Sequence, residues 1–127
     1  MKLLSPERMK QYDAYAIETW GIPSSVLMEN AGRTTYRLLR EEHLRGKKKL
    51  AVFCGRGNNG GDGFVIARYA ARDGFETTAF LLGNPDELKG DAALNRELYR
   101  RLGGRIVRRA HETFGGQERQ RVAFAFG

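Results

Sequence analysis

Two asparagines and an aspartate sit among five glycines in Gly55-Arg56-Gly57-Asn58-Asn59-Gly60-Gly61-Asp62-Gly63. Glycine lets the backbone come close to a ligand, and free N–H groups at a helix start attract an anion. Asn58 and Asn59 add side-chain carbonyls and amides, which suit a hard cation or a ligand amide. Asp62 would lie where a helix dipole stabilises a carboxylate. It reads as a helix N-cap or as an acceptor for ligand hydroxyls, since a carboxylate facing a phosphate is unfavourable. The chemistry on offer is therefore the binding of a phosphate-bearing small molecule.

The flanking elements fit that use. Leu50 to Cys54 is an apolar run of strand length, as in a parallel sheet buried on both faces. Phe64 to Arg72 reads as the helix after the loop, ended by Gly74. Glu76 to Leu82 is rich in β-formers and reads as a second strand. The glycines satisfy G-x-G-x-x-G, but a dinucleotide fingerprint also wants an acid at the end of that second strand. Leu82-Gly83-Asn84 supplies none, which disfavours an ordinary nicotinamide dehydrogenase. No Gly-Lys-Ser/Thr follows the glycines, so a Walker loop is excluded. Cys54 reads as buried strand rather than nucleophile, and His43 and His111 as surface residues.

Upstream, Pro6 starts a helix whose stripe of Met9, Tyr12, Ala16, Ile17 and Trp20 reads as core. Gly21-Ile22-Pro23 breaks it, and Ser24 or Ser25 can cap the next helix. Leu27, Ala31, Thr35, Leu38 and Leu39 form the expected inner face of that second helix. Within it Glu29 and Asn30 read as solvent-facing. Downstream, Asp91 to Leu102 is a helix with Leu94, Leu98, Tyr99 and Leu102 inward. Arg105-Ile106-Val107 is a short strand, and Arg121 to Phe126 another. Two helices followed by alternating strands and helices imply a parallel, right-handed α/β sheet. A last strand with no helix after it suggests a fragment of a longer domain.

Bulk composition narrows the class. The chain has 127 residues, 29% of them charged, and a formal net charge of +7. That length suits one domain, and no apolar stretch reaches membrane-spanning length. The N-terminus lacks the apolar core of a signal peptide, so a cytoplasmic location is expected. One cysteine permits no internal disulfide. The excess of arginine and lysine is scattered, which reads as a solvated surface rather than a nucleic-acid footprint.

The stretch Gly55 to Arg68 resembles the signature of the NAD(P)HX epimerase family, the YjeF N-terminal domain. Gly21-Ile22-Pro23 with Leu27-Met28-Glu29-Asn30-Ala31-Gly32-Arg33 is similar to that family's helical motif, and Lys89-Gly90-Asp91-Ala92-Ala93-Leu94-Asn95 to a third segment. The resemblance covers residues 3 to 107. It implies a Rossmann-like three-layer α/β/α sandwich with two extra N-terminal helices. Residues 1–127 would be one incomplete domain of that kind, truncated after the third or fourth strand. It implies interconversion of the R and S hydrates of NADH and NADPH, with an NAD(P)HX dehydratase as functional partner, separate or fused in a longer chain. It further implies that Asn58, Asn59, Gly60, Gly61 and Asp62 bind the hydrated cofactor, and that Asn59 is a ligand of a potassium ion.

The family's next motif is a strand ending in Val-Asp-Ala-Leu-Phe-Gly. Val122 to Gly127 is the nearest stretch here, and it sets Ala123 at the family's aspartate, a potassium ligand and acid/base candidate. No residue of this chain is therefore assigned the catalytic role. The alternative is a non-catalytic nucleotide- or RNA-binding module of the same fold, as in RNA-decay scaffolds. A homodimer is compatible with the unfinished sheet; a membrane partner is not expected.

Overall fold

A computed structural model describes residues 6–55, 58–109 and 122–126. Among them, helices α1 (Pro6–Trp20) and α2 (Ser24–Glu42) precede strand β1 (Lys49–Cys54). Helix α3 (Asn58–Arg72), β2 (Glu76–Leu82), a 3-10 turn at Pro85–Glu87, α4 (Gly90–Arg101) and β3 (Arg105–Arg109) follow. Strand β4 (Val122–Phe126) comes last. The sheet order is β3-β2-β1-β4.

The three strands β1 to β3 are parallel, with Val52 opposite Ala79 and Ala79 opposite Ile106. This is the Rossmann-like order that the alternation implied. The fourth strand departs from it: β4 runs antiparallel to β1, with Ala123 opposite Phe53. A parallel return needs a crossover of a dozen or more residues, usually a helix, whereas antiparallel pairing does not.

Alternate residues of β1 and β2 build the core. Leu50, Val52, Cys54, Ala79 and Leu81 join Phe64, Ile66, Ala67 and Ala70 of α3 in one buried cluster. Tyr36 and Leu39 of α2, Ala92 and Tyr99 of α4, and Leu44 and Leu88 from the connections complete it. The intervening Ala51, Phe53, Thr78 and Phe80 are half-buried. The described residues thus supply the sheet and the helical layer on one of its faces.

Helix faces differ from the sequence expectation in three places. Among the described side chains of α1 only Ala16 is buried, while Tyr12, Ile17 and Trp20 are exposed; the Met9 side chain lies outside the description. The stripe is amphipathic, but α1 barely touches α2, so little covers it. On α2 the inward residues are Met28, Gly32, Tyr36 and Leu39, a face turned from the expected Leu27, Ala31, Thr35 and Leu38. Pro23, not a serine, occupies the cap position there. On α4, Leu94, Leu98 and Leu102 point outward and Tyr99 inward. The Tyr99 hydroxyl lies 3.0 Å from the Arg105 carbonyl and 3.3 Å from that of Thr77, so a hydrogen bond decides the rotation. Burial pushes that phenol up to about 12.

Close approach of α2 to α3 rests on Gly32. A Cβ there would come within 2.6 Å of the Val65 Cβ. Gly32→Ala is therefore expected to lower unfolding stability by about 1–3 kcal/mol. Val65→Ala in the same chain removes the Cγ1 contact at 2.4 Å but keeps the Cβ, so it recovers only a small part of that loss. Urea unfolding of the two variants checks both statements.

Candidate functional site

The glycine stretch is mostly helix. Helix α3 begins at Asn58, six residues before the expected Phe64, so Asn58 and Asn59 form its opening and Asp62 lies in its second turn. Asp62 is therefore not the N-cap. Among the described residues the left-handed glycines lie elsewhere, at Gly21, Gly46, Gly74, Gly83, Gly90 and Gly103. Gly61 is needed for space instead. A Cβ on it would stand 2.6 Å from the Met28 Sδ, 2.8 Å from the Met28 Cε and 3.0 Å from the Ala92 Cα. The first turn of α3 is thus held directly against α2 and α4.

That position gives the site its chemistry. The first N–H groups of a helix have no intrahelical partner. Here they stand past the carboxyl end of the buried strand β1, where open α/β sheets bind ligands. Asn58, Asn59 and Gly60 belong to this turn; their side chains lie outside the description. Gly61 is buried and Asp62 half-buried. Burial raises the Asp62 carboxyl, helped by the Asp13 carboxylate on α1, to about 6. Asp62 can thus exchange a proton near neutral pH. Asp13 was not singled out from the sequence, because nothing local marks a charge on a different helix as a neighbour.

A second layer of polar contacts fixes α2 on α3. Glu29, expected in solvent, accepts hydrogen bonds from Arg68 and from the Tyr69 hydroxyl. Tyr69 stacks on Tyr36 at 6.0 Å between ring centres, and the Arg68 and Arg72 guanidinium groups lie over its ring. The Tyr36 hydroxyl donates to Asp73 at 2.7 Å, and Arg40 pairs with the same carboxylate at 2.9 Å. The hydrogen bond from Arg72 is the foremost favourable influence that keeps the Asp73 carboxyl below its usual range, against the opposing effect of burial. Asn30 is exposed and accepts from Arg33. Of the two polar residues in this motif, one anchors the helix pair and one faces solvent.

The remaining candidates stay apart from this chemistry. Cys54 is fully buried at the end of β1, and burial alone pushes its thiol far up. His43 is exposed at the end of α2, and His111 lies outside the described residues. Ala123 sits in the β4 register beside Phe53, at the end of the sheet from which the glycine stretch leaves. Among the described residues no group of three or more His, Cys, Asp or Glu could hold a metal ion. Nor is any described helix long and apolar enough to cross a membrane.

Comparison with known proteins places this geometry. A family model described as the YjeF-related protein N-terminus matches residues 24–123. A bifunctional NAD(P)H-hydrate repair enzyme of Moorella thermoacetica is 42% identical over 110 residues, covering 84% of this chain and 21% of its own length. An NAD(P)H-hydrate epimerase of Rhodopirellula baltica is 38% identical over 100 residues, covering 79% of this chain and 40% of its own. A yeast protein of known crystal structure, YNL200c, matches with a TM-score of 0.70 at 26% identity, over 85% of this chain and 47% of that one. The chain therefore spans less than half the length of these relatives.

Two outcomes follow from the site's electrostatics. The Asp62 carboxyl is raised in the folded chain, so the unfolded chain releases that proton first as pH rises. Stability is then full below about pH 4, falls as pH rises to about 6, and is level above that, by on the order of 2 kcal/mol. Asp62→Asn abolishes that slope in pH-dependent urea titrations. Separately, Glu29→Ala leaves Arg68 and Tyr69 without their acceptor and is expected to cost about 1–3 kcal/mol in the same assay.

Proposed function

The chain belongs to the YjeF-related protein N-terminus family, and from that premise we propose that it carries the cofactor-binding part of an NAD(P)H-hydrate epimerase. The observation that carries this reading is the first turn of α3, pinned against α2 and α4 through Gly61 at the end of β1. Its substrate is the hydrated nicotinamide dinucleotide, whose R and S forms the reaction interconverts. The names of the relatives from Moorella and Rhodopirellula support that substrate class.

Each residue then has a defined task. The free N–H groups of Asn58, Asn59 and Gly60 meet a phosphate of the cofactor. Gly61 keeps the backbone low enough for that approach. Asp62 accepts from a ribose hydroxyl, a partner that offsets the burial of its charge. Epimerisation itself requires the ring hydroxyl to leave one face and return on the other, with a proton donor and an acceptor nearby. Asp62 holds the cofactor rather than the reacting ring carbon, and no described residue is assigned the proton transfer.

Potassium was the other expectation. Asn59 would give it an oxygen, but Ala123 offers a methyl group where the resemblance sets an aspartate. These residues do not complete a shell of oxygen ligands, and no step is derived through the ion. The functional partner in this reading is a dehydratase that consumes one hydrate epimer, and the bifunctional name of the Moorella relative suits a fused arrangement. An RNA-binding role has weaker support. Arg40, Arg68, Arg72, Arg100 and Arg101 are already engaged by carboxylates of the chain itself.

A coupled assay tests the proposal. Mixed NADH hydrates are given to a dehydratase that accepts one epimer, with potassium present, and recovery of NADH is followed. Addition of this chain should speed the slow phase above spontaneous epimerisation, and Asn59→Ala should reduce that gain. A slow phase unchanged by the wild-type chain would overturn the catalytic claim.

A further inference from the structure

Asn95 is an unexpected residue for the middle of α4. It is 3% exposed, so its amide has been taken out of water. Burying an amide is unfavourable unless its hydrogen bonds are replaced. One replacement is local, the Asp91 carbonyl one turn back at 2.9 Å. The other crosses to a different helix: Nδ2 donates to the Met28 Sδ at 3.1 Å. A thioether is a weak acceptor, so this bond contributes less to stability than to direction. An apolar residue would fill the same space without a desolvation cost. What it would not do is fix where the methionine sulfur lies.

The sulfur's position matters because of what it touches. The same Sδ defines the space over Gly61, with the Ala92 backbone on the other side. Met side chains have three rotatable bonds and fill space adaptably. Unrestrained, Met28 could move over Gly61 or away from it, and the first turn of α3 would follow. Met28, Gly61 and Asn95 come from the three separate segments that resemble family motifs, and they meet at this point.

We propose that the Asn95–Met28 contact is a latch that holds the first turn of α3 in its cofactor-binding position. Both are positioning residues: they act on the ligand only through Gly61. The ligand side of this inference rests on the epimerase reading; the latch itself does not.

The test uses the full 127-residue chain and two independent readouts. Met28→Leu keeps the side-chain volume and removes the sulfur acceptor. Amide hydrogen exchange across residues 58–63 should then quicken by about tenfold or more, while β1 and β2 amides keep their wild-type rates. A purely structural role would instead raise exchange in all elements together. Gly61→Ala should quicken exchange in the same segment, because its methyl displaces the Met28 sulfur from its seat. Unchanged exchange at 58–63 in Met28→Leu or in Gly61→Ala would overturn the latch.

Calorimetry with hydrated NADH supplies the second readout. Met28→Leu and Asn95→Leu should each weaken binding by about tenfold. If the wild-type chain binds and both variants bind equally well, the latch is wrong and the epimerase reading stands. If the wild-type chain does not bind, the epimerase reading fails and the exchange experiment still decides the latch.

Discussion

The arrangement depends on a helix start that has no room for a Cβ. Gly61 is clamped between the Met28 sulfur and the Ala92 backbone, and Gly32 lets α2 descend onto Val65. These two contacts set the spacing of three helices around one turn of backbone. Glycine is a poor helix former, costing roughly 1 kcal/mol relative to alanine. Here that local cost is outweighed by packing that no larger residue allows. The result is a first helical turn, whose N–H groups have no intrahelical partner, held past the carboxyl end of β1.

Charge is arranged around this steric frame in two zones. Away from the site, between α2 and the far end of α3, carboxylates and guanidinium groups are paired: Glu29 with Arg68, and Asp73 with Arg40 and Arg72. Aromatic rings fill the space between these pairs, with Tyr36 stacked on Tyr69. At the site the only carboxylate in the turn, Asp62, is half-buried and faces a like charge on Asp13, so its charged form is disfavoured. The paired zone fixes the helices; among the described residues no ion pair engages Asp62, the group that the proposed function gives to a ligand hydroxyl.

Much of this was legible in the sequence, for identifiable reasons. The second strand, Glu76 to Leu82, was read with its exact bounds, because β-formers flanked by glycines leave little choice. The family and the motif segments were legible from residue order alone. The start of α3 was not, because five glycines within nine residues read as loop until a neighbouring helix is there to pack on them. The inward face of α2 was misjudged because Gly32 and Tyr36 carry the burial, and neither looks more apolar than Leu38. The outward turn of Leu94, Leu98 and Leu102 follows from two carbonyls reached by Tyr99, that of Arg105 just past α4 and that of Thr77 on β2, which helical spacing does not reveal. The antiparallel β4 was hidden for the same reason: strand direction depends on the path taken between elements, not on the composition of the strand.

In the proposed function the first turn of α3 binds a hydrated nicotinamide dinucleotide. Backbone amide chemical shifts, followed by NMR as mixed NADH hydrates are added, test it most directly. Binding at this turn gives saturable shifts concentrated in Gly55 to Gly63, with smaller ones at Met28 and Asn95. Shifts that are absent, or that cluster on the far side of the sheet near Lys47 and Lys48, would contradict it.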